Sequence, residues 1–229
     1  YLTVGKAAAI TRQLIGEKGL REHSFVHAHG TGTPQNRITE SVILERTAKA
    51  FGIEHWPVVA IKAYVGHSLG SAGGDQLSAT LGSFAHGWLP GIRTVDHIAD
   101  DVHRDHLNFC LEHQPHDALQ ASLINSKGFG GNNATAVALS HTVAETMLKQ
   151  RHGQQAFAGW QQRREGVREA KAGFRDHCLT EAPKPVYRFN EGVLGDEHVT
   201  LSDKAVQLNN GPVMTFDDDN GLAAYQINL

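Results

Sequence analysis

The apolar positions in the first part of the chain recur at two different spacings. Residues 3–18 and 40–52 carry apolar side chains at helical intervals, and residues 73–88 form a third helical pattern that is rich in small side chains. Between these helices, the segments 24–30 and 58–66 are short, apolar and β-branched, which is typical of buried parallel strands. The alternation of helix and strand predicts an α/β fold.

Glycines and polar residues mark where these elements should begin and end. We expect Gly16 and Gly19 to end the first helix, because glycine is unfavourable inside a helix and common just after one. Thr39 precedes the second helical pattern and is predicted to be its N-cap.

The second part of the chain has a different pattern. Residues 91–118 are polar and loop-like, and then 119–126 and 134–140 are predicted to form two strands of a hairpin. From 143 to 178 the pattern is that of a long helix, with large apolar side chains spaced for one face. Beyond Pro183 short strands and turns are predicted. We place a domain boundary near residue 141, which gives a first domain of residues 1–140 and an extension of residues 141–229.

Composition and charge exclude several classes of protein. The 229 residues carry a net charge of −3, so nothing indicates a nucleic-acid partner. No apolar run is long enough for a membrane span, and two widely separated cysteines, Cys110 and Cys178, indicate a reducing cytoplasm rather than a disulfide framework. The chain starts at Tyr1 without a signal-peptide pattern, and we expect it to be cut from something longer.

Three short motifs carry candidate chemistry. They are "HGTGTP", in which His29 follows the first strand, "KAYVGHSLGSAGG", which contains Lys62 and His67, and "NSKGFGGNN", a glycine turn around Phe129. His27 and His29 alternate and could form a His-x-His metal pair. A phosphate loop is excluded, because "GTGTP" lacks the lysine and hydroxyl residue of such loops, and "GFGG" is followed by a strand pattern.

Taken together, the three motifs resemble the β-ketoacyl synthase family of the thiolase fold, and specifically its C-terminal half. They stand in the family's order and cover about residues 1–140. The resemblance implies the C-terminal half of a layered α/β fold, with a mixed sheet flanked by helices, followed here by a mainly helical extension. It implies an acyltransferase that performs a decarboxylative Claisen condensation of malonyl–acyl carrier protein with an acyl thioester in fatty acid or polyketide synthesis. No cofactor and no metal are implied.

The resemblance also assigns roles to individual residues. His29 and His67 match the two histidines that donate hydrogen bonds to the oxygen of the developing enolate, a role that needs neutral imidazoles. Lys62 and Glu40 match a lysine and a glutamate that form an ion pair. Thr31 and Thr33 match residues that contact the pantetheine arm. Phe129 matches the residue whose backbone N–H helps to form the oxyanion hole and whose ring gates the acyl pocket. The turn glycines Gly128, Gly130 and Gly131 are expected to adopt conformations that other residues avoid.

The family's nucleophilic cysteine is missing from this sequence. Neither Cys110 nor Cys178 lies in a small-residue turn before a helix, so we expect this chain alone to be inactive. The expected partners are the N-terminal half of the same synthase, which would carry the cysteine, and acyl carrier protein or coenzyme A thioesters. The full enzyme is expected to be a homodimer.

Some residues depart from the family pattern, and some alternatives stay open. Arg37 and Lys127 would add positive charge near the site, and residues 149–176 hold seven Lys or Arg against three acids, a candidate docking face for an acidic carrier protein. A non-catalytic scaffold that resembles a chain-length factor is one alternative function. A metallohydrolase built on His27 and His29 is another.

Overall fold

A computed structural model describes residues 1–182, 189–209 and 211–216. The chain divides into two compact units, Tyr1–Gln162 and Arg163–Leu229. The predicted boundary near residue 141 stays a prediction.

The α-helices are α1 (Leu2–Glu22), α2 (Pro34–Ala50), α3 (Lys62–Val65), α4 (Ala72–His86), α5 (His141–His152) and α6 (Gln154–Thr180). The strands are β1 (Ser24–His27), β2 (Trp56–Val59), β3 (Trp88–Leu89), β4 (Leu107–Phe109), β5 (Gln114–Pro115), β6 (Ala121–Lys127), β7 (Asn133–Leu139), β8 (Val199–Leu201), β9 (Ala205–Leu208) and β10 (Val213–Thr215).

The first unit is built around a mixed sheet of five strands in the order β4-β2-β1-β6-β7. The first four strands are parallel, and β7 pairs antiparallel with β6 through the predicted hairpin. The α/β fold class, with a mixed sheet flanked by helices, is therefore confirmed. Strand β1 lies in the middle of the sheet and is buried throughout.

Successive side chains of β1 point to opposite faces of the sheet, and each face has its own apolar core. Val26 belongs to a cluster with apolar residues of α1 and α2. Phe25 belongs to a second cluster, against which Phe84 of α4 packs edge-on at 6.0 Å between ring centroids. Helices α1 and α2 therefore cover one face, and α4 covers the face towards which Phe25 and His27 point.

Several predicted boundaries differ from the observed ones. The first helix continues to Glu22, with one non-helical residue at Gly16. The second helix begins at Pro34, so its N-cap is Thr33 and not Thr39. Proline is favoured at the first helical position because its missing N–H would be unpaired there in any case. The hydroxyl of Thr39 instead donates to the carbonyl of Gln35 one turn back.

The predicted strand 58–66 is also shorter than expected. Strand β2 ends at Val59, and the short helix α3 begins at Lys62, so Lys62 is not a strand residue. The loop-like segment 91–118 contains the short strands β4 and β5. The long helix predicted over 143–178 is divided at Gly153 into α5 and α6.

The second unit contains most of α6 and a separate antiparallel sheet in the order β10-β9-β8. This sheet agrees with the short strands predicted beyond Pro183. The parts of that prediction at 183–188, 210 and 217–229 lie outside the described residues. No helix in the described segments is both long and apolar enough to cross a bilayer.

Candidate active site

The two candidate catalytic histidines lie side by side. The ring centroids of His29, just after β1, and His67, after α3, are 5.2 Å apart, and the ring planes cross at 78°. Both side chains line one surface cleft together with residues of the turn between β6 and β7. The carboxyl ends of parallel strands meet at one edge of a sheet, and this is where the loops after β1 and β2 bring the two rings together.

Each ring is oriented by a backbone N–H group. Nδ1 of His29 accepts from the N–H of Lys127 at 3.2 Å, and Nδ1 of His67 accepts from the N–H of Leu69 at 3.1 Å. A ring nitrogen that accepts a hydrogen bond carries no proton, so each neutral imidazole has its proton on Nε2. The two Nε2–H groups are then the donors that remain for a ligand.

Burial keeps the His29 imidazole neutral. The pKa of His29 is lowered, first by burial and then by the positive charge of Lys62, although the Glu40 carboxylate opposes this shift. A lowered pKa means that the ring is uncharged at neutral pH.

Glu40 holds the turn that carries His29. Its buried carboxylate accepts the backbone N–H groups of His29 at 2.8 Å and of Gly30 at 2.9 Å. It also accepts the side-chain amides of Asn36 at 3.0 Å and Asn125 at 2.6 Å. A carboxylate with four N–H donors is fully satisfied without a counter-ion, so Glu40 fixes the backbone on which His29 is mounted.

The predicted ion pair between Lys62 and Glu40 does not form, so that prediction is wrong. The Nζ atom of Lys62 is buried and has no hydrogen-bond partner among the described residues. The pKa of Lys62 is lowered by burial, an effect that the charges of Glu40 and Asp75 partly offset. The reason is that the Glu40 oxygens are already occupied by the four amide groups.

The turn that carries His29 requires glycine at position 30. Its φ of +59° is unfavourable for other residues, and a Cβ atom there would lie 2.6 Å from Cβ of Ala60. In the β6–β7 turn, Gly130 and Gly131 have φ angles of +77° and +82°, as expected. Gly128 has an ordinary φ of −111°, so the expectation of a special conformation is wrong for this residue.

Of the remaining predicted residues, Lys127 lines the histidine cleft, whereas Thr31, Thr33 and Phe129 do not. The Thr31 and Thr33 hydroxyls are 3.5 Å apart in the turn before α2. Phe129 is 98% exposed, so among the described residues its ring closes no acyl pocket. Lys127 donates from Nζ to the Thr39 hydroxyl at 3.1 Å.

Arg37 does not act as a free positive charge at the site. Its guanidinium binds Asp101 through two hydrogen bonds of 2.8 Å each, which is a bidentate ion pair. The positive charge expected of Arg37 near the site is therefore paired with the Asp101 carboxylate.

His27 has a structural position and is not part of a metal pair. Its fully buried ring accepts the N–H of Ile61 on Nε2 at 3.1 Å, and Nδ1 lies 3.1 Å from the Thr80 hydroxyl. Both ring nitrogens are thus occupied by protein groups. Burial lowers the pKa of His27 to about 4, so the ring is neutral. Within the described ranges, no three His, Cys, Asp or Glu residues are grouped as metal ligands would be.

The environment of Cys110 does not favour a nucleophilic role. Its side chain is fully buried, and burial raises the pKa of the thiol to about 11. A buried thiol with a raised pKa is a poor nucleophile at neutral pH.

Gln76 and Asn125 are site residues that the sequence analysis missed. Gln76 of α4 is completely buried and donates to backbone carbonyls of both β1 and β6. Asn125 of β6 donates to Glu40 and accepts from the Thr135 hydroxyl. Neither lies at a recognisable spacing from the histidines, and only their burial as amides marks them.

Comparison with known proteins agrees with this geometry. Residues 4–96 match the family model described as "Beta-ketoacyl synthase, C-terminal domain". The chain is 48% identical over 209 residues to "Beta-ketoacyl-[acyl-carrier-protein] synthase FabY" of Pseudomonas aeruginosa, an alignment that covers 91% of this chain and 33% of that protein. It is 33% identical over 113 residues to "3-oxoacyl-[acyl-carrier-protein] synthase 1" of Escherichia coli strain K12, covering 49% of this chain and 26% of that protein.

The structural comparison extends the likeness beyond the first 140 residues. The crystal structure of the noncanonical ketosynthase FabY from P. aeruginosa superposes with a TM-score of 0.82 at 44% identity, covering 99% of this chain and 36% of that chain. A ketosynthase domain from Streptomyces albus, at 21% identity and a TM-score of 0.50, shares the fold alone. The chain thus spans about a third of the length of FabY.

Proposed function

We propose that this chain, whose residues 4–96 match the C-terminal domain of the β-ketoacyl synthase family, is the C-terminal part of a synthase that condenses malonyl–acyl carrier protein with an acyl thioester. The reaction would be a decarboxylative Claisen condensation, in fatty acid or polyketide synthesis. The names of the relatives, FabY and 3-oxoacyl synthase 1, support the acyl carrier protein as the donor's carrier.

The observation that carries this proposal is the arrangement of His29 and His67. Their rings are 5.2 Å apart, and backbone N–H groups occupy both Nδ1 atoms. When the malonyl group loses carbon dioxide, the electron pair of the broken C–C bond moves onto the thioester oxygen. Two Nε2–H donors directed at that oxygen stabilise its developing negative charge more than they stabilise the neutral carbonyl.

Lys62 fits a supporting electrostatic role. Its positive charge lowers the pKa of His29, and so favours the neutral form of that ring, which the reaction needs. Thr31 and Thr33 remain candidates for the pantetheine arm. Phe129, Gly128 and Gly130 remain candidates for the oxyanion hole and the gate. These roles are part of the proposal.

The nucleophile and the rest of the acyl site would come from another part of the synthase. The raised pKa of Cys110 supports this, as does the length of FabY, about three times that of the matched segment. The proposed partner is therefore the N-terminal half of the same synthase, and the full enzyme is proposed to be a cytoplasmic homodimer.

Helix α4 offers a surface for such a partner. Leu77 and Leu81 are 42% and 54% exposed on this helix, and Trp88 just after it is 50% exposed. Large apolar side chains grouped at a surface favour contact with another protein surface. We propose that the N-terminal half covers this face.

The test uses the synthase that contains this chain together with its N-terminal half, and it measures carbon dioxide release from malonyl–acyl carrier protein. His29→Ala and His67→Ala should each lower the rate of decarboxylation by about 10²–10³, because each removes one donor to the enolate oxygen. His55→Ala is the matched control, since His55 is exposed and lies outside the site. A rate within about threefold of the unaltered enzyme in either site variant would overturn the proposal.

A parallel measurement with malonyl–coenzyme A distinguishes the carrier. If the carrier protein is recognised, the donor's KM should be lower for malonyl–acyl carrier protein than for malonyl–coenzyme A, because protein contacts add binding energy. Equal KM values would remove the carrier protein from the proposal and leave the chemistry intact.

A further inference from the structure

Gln76 connects the two loops that carry the catalytic histidines. Its side chain lies on α4, the helix that follows the His67 loop, and is completely buried. Its Nε2 atom donates to the carbonyl oxygens of His27 at 3.1 Å, Ala28 at 2.7 Å and Asn125 at 3.0 Å. Its Oε1 atom accepts from the Ser126 hydroxyl at 2.9 Å.

The residues that Gln76 contacts are sequence neighbours of His29 and of Lys127, whose N–H binds the His29 ring. His27 and Ala28 immediately precede His29 along the chain. Asn125 and Ser126 immediately precede Lys127, whose N–H occupies Nδ1 of His29. One amide therefore fixes both the backbone that leads into His29 and the backbone that orients its ring.

The hydrogen bonds require an amide at this position. Three carbonyl oxygens share the two N–H groups at one end of the side chain, while the Ser126 hydroxyl donates to the oxygen at the other end. A glutamine supplies both. An ionised glutamate of the same shape would have no N–H donor. Its buried negative charge would also be repelled by the three carbonyl oxygens.

We infer that Gln76 is a positioning residue for His29 and His67, which keeps the two rings at their observed separation during the condensation. The inference rests on the proposed function for its catalytic part. The physical claim, that the buried amide sets the relative position of the two rings, is independent of which reaction they serve.

The first test is the Gln76→Glu variant of the full synthase, with Ser83→Ala as control. Ser83 is a buried residue of the same helix and lies outside the histidine cleft. In Gln76→Glu, kcat for condensation should fall by about 10²-fold with little change in the KM of the malonyl donor, because a displacement of about 1 Å costs that much in rate. The control should retain its kcat.

A pH profile separates positioning from a general loss of packing. The buried carboxyl that Gln76→Glu introduces must be protonated before it can donate, so the ratio of variant to unaltered kcat should rise as the pH is lowered from about 8 to about 6. A ratio that does not depend on pH would contradict the inference.

Two further measurements keep the inference testable if Gln76→Glu folds poorly. Ser126→Ala removes only the hydroxyl that donates to Oε1 of Gln76. The kcat of this variant should fall by less than about tenfold. A crystal structure of either Gln76→Glu or Gln76→Met should show the centroids of His29 and His67 moved from 5.2 Å by at least about 0.5 Å. An unchanged ring geometry would overturn the inference, even if activity were lost. An inactive parent enzyme would contradict only the proposed function.

Discussion

Nδ1 of His29 accepts the backbone N–H of Lys127 at 3.2 Å, across the gap between the ends of β1 and β6. This contact, between residues distant in sequence, determines which nitrogen of the ring carries the proton. It makes Nε2–H the free donor, and the corresponding contact of His67 with Leu69 gives the second ring the same tautomer. The chemistry proposed for the site depends on this shared tautomer.

Glu40→Gln should destabilise the protein and misplace His29. The substitution replaces one acceptor oxygen by an NH₂ group that faces N–H donors, and an unpaired buried donor costs about 1–3 kcal/mol in the free energy of unfolding. Urea unfolding measures the change. Glu22→Gln is the control, because Glu22 is exposed and its ion pair with Lys18 on the same helix is a long one of 3.8 Å. Equal stabilities of the two variants would show that the four amide contacts of Glu40 do not stabilise the turn.

Gly30→Ala and Gly32→Ala form a matched pair. Both glycines have a positive φ, +59° and +69°, so each substitution incurs the cost of about 1–2 kcal/mol for a left-handed conformation. Only at residue 30 would the new Cβ also meet Ala60, at 2.6 Å, whereas nothing lies within 4 Å at residue 32. Thermal unfolding should therefore show the larger loss for Gly30→Ala, together with a loss of decarboxylation activity. A larger effect at residue 32 would contradict the close approach of the two loops.

His27 should make the stability of the fold depend on pH. Its pKa is about 4 in the folded chain and near 6.5 when exposed, so the unfolded state binds a proton first as the pH falls. The neutral buried ring thus favours folding fully above about pH 6.5, and this advantage is lost progressively towards about pH 4, by roughly 3 kcal/mol in all.

His27→Gln tests this assignment, since glutamine does not titrate but can still pair with Ile61 and Thr80. The free energy of unfolding of the unaltered chain should fall more steeply between those pH values than that of His27→Gln. His55→Gln, at an exposed position, should keep the steep dependence. If His27→Gln is as steep as the unaltered chain, then His27 is not the titrating group.

The two cysteines should differ in reactivity towards an alkylating reagent at neutral pH. Cys110 is fully buried and its pKa is raised to about 11, whereas Cys178 is partly exposed. Mass spectrometry after a short exposure of the native protein should find modification at Cys178 and very little at Cys110. Rapid modification of Cys110 would reopen the question of a nucleophile within this chain.

Local patterns predicted much of the fold. The β6–β7 hairpin follows from two alternating segments around a glycine turn, and helix α4 follows from its small-residue helical pattern. The start of α2 and the end of β2 were misplaced and α3 was missed, because Pro34 and the turn after Val59, rather than the apolar spacing, determine these boundaries. Helix boundaries depend on such local backbone chemistry more than on periodicity.

The site was predicted in part. The motifs identified His29, His67, Lys62 and Glu40, and the structure brings the two histidines together. The partner of Glu40 was not predicted correctly, because amides from α2 and β6 compete with Lys62 for the carboxylate. Gln76 and His27 act through contacts with residues distant in sequence, which no local spacing reveals.

The central claim is that two neutral imidazoles share one oxygen of the substrate. A crystal structure of the full synthase with a non-reactive malonyl thioester analogue measures this directly. Nε2 of His29 and Nε2 of His67 should both lie within about 3.2 Å of the thioester carbonyl oxygen. A structure in which only one of the two rings contacts that oxygen, or in which the oxygen lies outside the cleft they line, would contradict it.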